Sequence, residues 1–231
     1  MKSVGIIGGI GPESTIEYYR SIIASYRAQK QDGSYPSIII NSIDLKRMLE
    51  LIEADELARV TDYLVGEVEK LACAGADFGL LAAGTAHIVF DDVRRRSPIS
   101  LISIVEAACD AADRMGLKKV GLFATRFTMQ GRFYSDVFSK KRISLVVPNE
   151  EEQAYIHDKY FSELVKGIVL PETRNRLLTI IDQLKEREAI QGLILGGTEL
   201  SLILRDGMSD AIPLLDTTQI HARAAVQELL R

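Results

Sequence analysis

Small and hydroxyl-bearing residues collect at five places in this chain: Gly8-Gly9-Ile10-Gly11-Pro12, Asn41-Ser42, Ala83-Gly84-Thr85, Ala124-Thr125 with Thr128, and Gly196-Gly197-Thr198. Each lies where a run of Val, Ile and Leu gives way to a helical pattern. Glycine there lets backbone N–H groups come close to a ligand, and threonine adds a hydroxyl that can donate or accept. A helix N-terminus contributes unpaired N–H donors and the positive end of its dipole, which favours an anion. In open parallel α/β sheets the carboxyl ends of the strands form the binding crevice. Two such rims facing each other would enclose a small anionic ligand, with Gly9, Gly11, Gly84, Thr85, Thr125, Thr128 and Thr198 as binding residues. Turn and cap formation accounts for any one of these loops taken singly. Their repetition along the chain favours a site.

The first loop approximates a dinucleotide-binding turn through Gly9-Ile10-Gly11, but Ser14 stands where the third small residue belongs. No acidic residue ends a second strand at the required distance, and Asp44 lies too far on, so a Rossmann cofactor site is not expected. The three histidines show no metal-ligand spacing. With 28 basic and 32 acidic residues, net charge −4, and no basic run longer than Arg94-Arg95-Arg96, nucleic acid is not an expected partner. No apolar run is long enough to span a bilayer, the start of the chain does not read as a secretory signal, and two cysteines do not make a disulfide framework. The expectation is a cytoplasmic protein with no membrane partner.

The elements that must position these loops alternate. Expected strands are Ser3–Ile7, Ser37–Asn41, Phe78–Ala82, Ile99–Ile102, Lys119–Phe123, Ser144–Val147, Gly192–Leu195 and Ile212–Leu215. Several are apolar throughout, as parallel strands covered on both faces should be. Leu57, Val60, Leu64, Val68 and Leu71 step by three or four ahead of Gly75, which reads as a helix and its stop. Asn149 with Glu152 three residues on is a capping arrangement, and Pro171 opens a further helix carrying Leu177, Ile181 and Leu184. Strand–helix alternation of this kind means an α/β fold with parallel sheets.

An internal repeat sets the domain organisation. The segment Met1-Lys2-Ser3-Val4-Gly5-Ile6-Ile7 resembles Leu117-Lys118-Lys119-Val120-Gly121-Leu122-Phe123. Gly79 to Thr85 resembles Gly192 to Thr198, in the same order and at nearly the same offset. Two pseudo-symmetric parallel-sheet α/β domains are expected, with the site in the cleft between them. Their expected extents are 1–97 plus 208–231 and 98–207.

Gly8-Gly9-Ile10-Gly11-Pro12, Ala83-Gly84-Thr85-Ala86-His87 and Gly196-Gly197-Thr198-Glu199-Leu200, in this order, resemble the motifs of the cofactor-independent aspartate/glutamate racemase superfamily across essentially the whole chain. The resemblance implies an acidic amino acid held between two α/β domains, no cofactor (no pyridoxal phosphate in particular), and a homodimer. In that family two cysteines face opposite sides of the substrate Cα, one removing the α-proton and the other donating from the opposite face. They usually stand in Cys-Asn-Thr and Gly-Cys-Thr-Glu. Here the matching positions are Ala83 and Gly197, and the Asn is replaced by Gly84. Neither side chain has an ionisable group, so two-thiol racemisation is expected to be absent.

The remaining thiols, Cys73 and Cys109, fall in helical stretches and read as small buried hydrophobes. His87 and Glu199 are the candidates for acid/base work near the crevice, although both also stand at ordinary family positions where supporting the loop would suffice. His157 and His221 read as surface residues. The resemblance further points to Arg47 and Lys166 as binders of the substrate's side-chain carboxylate. Three functions remain open: a racemase-family protein binding a small acidic amino acid or dicarboxylate with its thiol chemistry lost or altered, a non-catalytic binding or regulatory protein on the same scaffold, and a lyase or decarboxylase using Thr, His or Glu groups.

Overall fold

A computed structural model describes residues 2–204 and 212–231. In chain order the elements are β1 (Ser3–Gly8), α1 (Pro12–Gln29), β2 (Ser37–Ser42), α2 (Leu45–Glu53), α3 (Leu57–Cys73), β3 (Phe78–Leu81), α4 (Phe90–Arg96), β4 (Ser100–Ile102) and α5 (Ile104–Arg114). There follow β5 (Lys119–Phe123), α6 (Arg126–Gln130), α7 (Phe133–Lys140), β6 (Ser144–Val146), α8 (Glu150–Ser162), α9 (Pro171–Glu188), β7 (Gly192–Leu195), α10 (Leu200–Ile203), β8 (Leu214–Asp216) and α11 (Thr217–Leu229). Short 3-10 turns cover Thr85–Val89 and Leu164–Lys166.

The strands form two four-stranded sheets, β2-β1-β3-β4 and β6-β5-β7-β8, and every pairing in both is parallel. The chain divides into two compact units, Met1–Ile104 with His221–Arg231, and Val105–Ile220. The two sheets have the same strand order, and the repeated segments occupy equivalent places: β1 matches β5, and β3 matches β7.

The sheets draw the boundaries differently from the expected ones. β4 was expected in the second half, yet it pairs with β3 through Gly79↔Leu101 and completes the first sheet. β8 was expected in the first half, yet it pairs with β7 through Ile194↔Leu215 and completes the second. The physical reason lies in the strand order. The fourth strand of each sheet adds beside the third on the side away from the first, so each sheet closes one strand later than the motif repeat. Only the tail from His221 returns to the first unit. The expected boundary at 207–208 lies outside the described residues.

In the first unit alternate residues of β1 face opposite helix layers. Val4 and Ile6 join Phe78 and Leu80, Tyr18, Ile22 and Tyr26 of α1, and Ala222, Ala225, Val226 and Leu229 of α11 in one buried cluster. On the other face α3 presents the expected stripe, with Val60, Leu64, Val68 and Leu71 all buried. In the second unit Val120, Leu122, Leu193 and Ile194 are fully buried, with Leu177, Ile181 and Leu184 of α9 at the core. The capping box is formed: Asn149 Oδ1 accepts from Glu152 N at 2.9 Å and Glu152 Oε2 accepts from Asn149 N at 3.0 Å. Among the described residues no helix is long and apolar enough to cross a membrane.

Candidate functional site

Each sheet has its topological switch at its second and third strands, since the chain leaves β1 for β2 on one side and β3 lies on the other; β5 and β7 repeat this. The loops that follow these strands are therefore the ones that flank a crevice.

In the first unit Ala82 N donates to Ile7 O at 2.9 Å, which brings the turn after β3 beside the glycine loop after β1. Gly9 has φ +77°, and a Cβ there would sit 2.3 Å from Ile43 O, so only glycine fits. Gly11 precedes α1, and Thr15 Oγ1 ties the loop by accepting from Gly9 N at 2.9 Å and donating to Gly11 O at 3.1 Å. Ala83 is 6% exposed. Gly84 caps the 3-10 turn that carries half-buried Thr85 and buried His87.

His87 does not present a reactive nitrogen. Nδ1 is 2.9 Å from Ala83 O and Nε2 accepts from Ile104 N at 3.1 Å, which fixes the neutral tautomer with hydrogen on Nδ1. Burial, with His221 nearby, lowers its pKa to about 3. It anchors the Ala83 turn to the start of α5. Arg47 lies on the surface of α2, its guanidinium 4.4 Å from the ring centroid of Tyr63.

In the second unit both Gly196 N and Gly197 N donate to Phe123 O, at 2.8 and 3.3 Å, so the turns after β5 and β7 are adjacent. Thr125 and Thr128 are buried; Thr125 caps α6, and the two hydroxyls lie 3.1 Å apart. Glu199 is 1% exposed, and its Oε2 accepts from Thr198 Oγ1 at 2.9 Å and from the Tyr160 hydroxyl. Lys166 is exposed at the end of the 3-10 turn after α8.

Tyr160 escaped the sequence reading. A Cβ at Gly197 would lie 2.5 Å from its Cε2, 3.2 Å from Cδ2 and 3.3 Å from Cζ. Its ring fills the space into which any side chain at 197 would project. The available signal was the spacing Gln153, Ile156, Tyr160, the buried stripe of an otherwise polar helix. Burial and the adjoining Glu199 carboxylate push the phenol well above its usual pKa.

The other titratable residues divide. Cys109 is buried as expected, its thiol pushed up to about 11 mainly by burial. Cys73 is exposed, contrary to expectation, because it is the last residue of α3. His221, expected at the surface, is 0% exposed: Nε2 lies 2.9 Å from Ile102 O and Nδ1 2.7 Å from the Tyr18 hydroxyl. His157 is half-buried rather than free at the surface, its Nδ1 accepting from Arg126 N at 3.2 Å. Among the described residues no group of three or more His, Cys, Asp and Glu could hold a metal ion.

Two parallel α/β units of identical strand order, each with small and hydroxyl residues at its switch point, define a duplicated α/β scaffold. Residues 7–225 match the family described as Asp/Glu/Hydantoin racemase, and the chain belongs to that family. It is 23% identical over 235 residues to the broad specificity amino-acid racemase RacX of Bacillus subtilis (strain 168), covering 98% of each chain. The structure of an aspartate racemase homologue from Pyrococcus horikoshii OT3 superposes with TM-score 0.86 at 35% identity, covering 100% of both chains. The Picrophilus torridus aspartate racemase, at 20% identity and TM-score 0.78 over 99% of this chain and 94% of that one, shares the fold.

Proposed function

We propose that this protein binds a small acidic amino acid or dicarboxylate at the carboxyl-end rims of its sheets and does not catalyse two-thiol racemisation. The observation that carries the reading is at Gly197: the family's second thiol position bears no side chain, and the Tyr160 ring fills its place. Ala83, at the first thiol position, likewise offers no ionisable group. His87 does not substitute, since both ring nitrogens are engaged. Substrate class, homodimeric assembly, cytoplasmic location and independence from pyridoxal phosphate belong to the same proposal and rest on the family relationship.

The test combines binding with chirality. Thermal unfolding with L- and D-aspartate, L- and D-glutamate and simple dicarboxylates should show a raised midpoint for at least one, because a ligand that binds only the native state stabilises it. Optical rotation of the amino acids incubated with the protein should stay constant. Ordinary inversion would refute the thiol argument, and no shift with any compound would refute the ligand class.

A further inference from the structure

A buried phenol and a buried carboxylate stand together where the second thiol would be. Tyr160 reaches the position from α8 and donates its hydroxyl hydrogen to Glu199 Oε2. The Thr198 hydroxyl and the Glu199 backbone N–H also bear on the phenol oxygen, and both favour its charged form. Thr198 and Glu199 are 3% and 1% exposed, Tyr160 7%, so this group is almost entirely withdrawn from water. Tyr160 both fills the space beside Gly197 and supplies a hydrogen bond that the buried Glu199 carboxylate needs, so a phenol and a carboxylate are held in direct contact at the family's second thiol position.

We propose that Tyr160 is the proton-transferring residue of the second unit, with Glu199 as its positioning and relay partner, so that the protein exchanges the α-proton of a bound acidic amino acid on one face only. The proposal rests on the ligand reading given above.

In the forward step the Glu199 carboxylate takes the phenolic proton while the phenolate oxygen takes the α-proton. The electron pair of the broken C–H bond remains on Cα and delocalises into the substrate's α-carboxylate. The Thr198 O–H turns to whichever oxygen is anionic, while the fixed Glu199 N–H favours the phenolate. The return step reverses each transfer. A proton that has exchanged with solvent comes back to the same face, and the net change is replacement of the α-hydrogen by solvent hydrogen with configuration retained. Ala83, at the family's other thiol position, carries no proton to deliver. The raised pKa of Tyr160 fits this role, because a weaker acid leaves a stronger conjugate base.

The experiment is proton NMR of L- and D-aspartate and L- and D-glutamate with the full chain in D2O, alongside chiral chromatography and thermal shift. One enantiomer of a compound that raises the unfolding midpoint should lose its α-proton signal without inverting. Tyr160→Phe keeps the ring and removes the hydroxyl; it should retain the thermal shift and slow exchange about 100-fold or more. Glu199→Gln should slow exchange and change its pH profile, which a purely structural carboxylate would not do. Equal exchange in Tyr160→Phe, or a bound ligand with no exchange in the unaltered protein, overturns the proposal alone. No thermal shift with any of the four overturns the ligand reading and this proposal with it.

Discussion

His221 accepts a hydrogen bond from the Tyr18 hydroxyl at 2.7 Å while its other ring nitrogen donates to Ile102 O at 2.9 Å, so one neutral imidazole joins α11, α1 and β4. His87 does the same for the Ala83 turn and Ile104, and the two ring centroids lie 6.3 Å apart. The pair brackets the short link Ile102-Ser103-Ile104.

Both histidines are held neutral in the folded protein, with pKa values lowered mainly by burial to about 3 for His87 and about 4 for His221. The unfolded chain, with an ordinary value of about 6.5, binds more protons below that pH. Their stabilising contribution is therefore fully present above pH about 6.5 and declines as pH falls toward the folded values. The expected loss is at most about 1.4 kcal/mol per pH unit for each histidine. Urea unfolding at pH 7.5, 6.5 and 5.5 checks it; carboxylates with lowered values, such as Glu67 and Glu152, act only at lower pH. A flat stability across this window would contradict the assignment of neutral, engaged rings.

Gly197 and Tyr160 exclude one another sterically, which gives a second prediction. Gly197→Ala places a methyl 2.5 Å from an aromatic carbon that is itself packed, and should destabilise by about 1–3 kcal/mol. Tyr160→Ala should cost about 3–5 kcal/mol through its cavity. The double variant should be more stable than the sum of the two predicts, because the cavity accepts the added methyl. Additive effects in denaturant unfolding would show that the ring moves aside freely. The same geometry says that Ala83→Cys with Gly197→Cys will not place a thiol properly unless position 160 is also made small.

How much of this was readable in sequence depended on distance along the chain. The strands were legible because parallel strands buried on both faces read as apolar runs, and β3 and β7 are buried at every residue. The Asn149–Glu152 capping box was legible because both halves lie within one helical turn. His221 was misread because Tyr18, its partner, is 203 residues away. The domain boundary was misread because a motif repeat marks the strands carrying the motifs and says nothing of the strand added after them. Tyr160 was missed because the spacing Gln153, Ile156, Tyr160 marks only a buried stripe, and nothing in it connects the ring to Gly197, 37 positions on.

Glu152 illustrates the same limit and supplies a third prediction. Besides the cap, its carboxylate receives Arg187 Nη1 at 2.9 Å and Nη2 at 2.7 Å, a two-pronged pair joining α8 to α9. The Glu152 side chain is 5% exposed and that of Arg187 42%. Arg187→Met keeps much of the stem and leaves the carboxylate without its cation. The expected loss is about 1–3 kcal/mol, above that of exposed pairs and below that of fully buried ones. Arg187→Lys should recover only part, since an ammonium cannot grip both oxygens in the same plane. Unfolding midpoints at neutral pH decide it; an unchanged midpoint would place the pair among the inconsequential surface contacts.

Arg47 provides the test of the ligand rim itself. Its guanidinium rests over the Tyr63 ring on the outside of α2, an exposed position that gives the fold little reason to require arginine. If it grips the side-chain carboxylate of a bound acidic amino acid, Arg47→Ala should weaken binding by about 10- to 100-fold, the range for losing a charge-assisted hydrogen bond. Its unfolding midpoint without ligand should stay close to that of the unaltered protein. Arg47→Lys should fall between, since it keeps the charge and loses the fork. A matching substitution at Lys166 tests the second unit in the same titration. Calorimetric titration with whichever compound gives the largest thermal shift measures all three variants. If Arg47→Ala binds as tightly as the unaltered protein, the cation is a surface partner of Tyr63 and the side-chain carboxylate is held elsewhere.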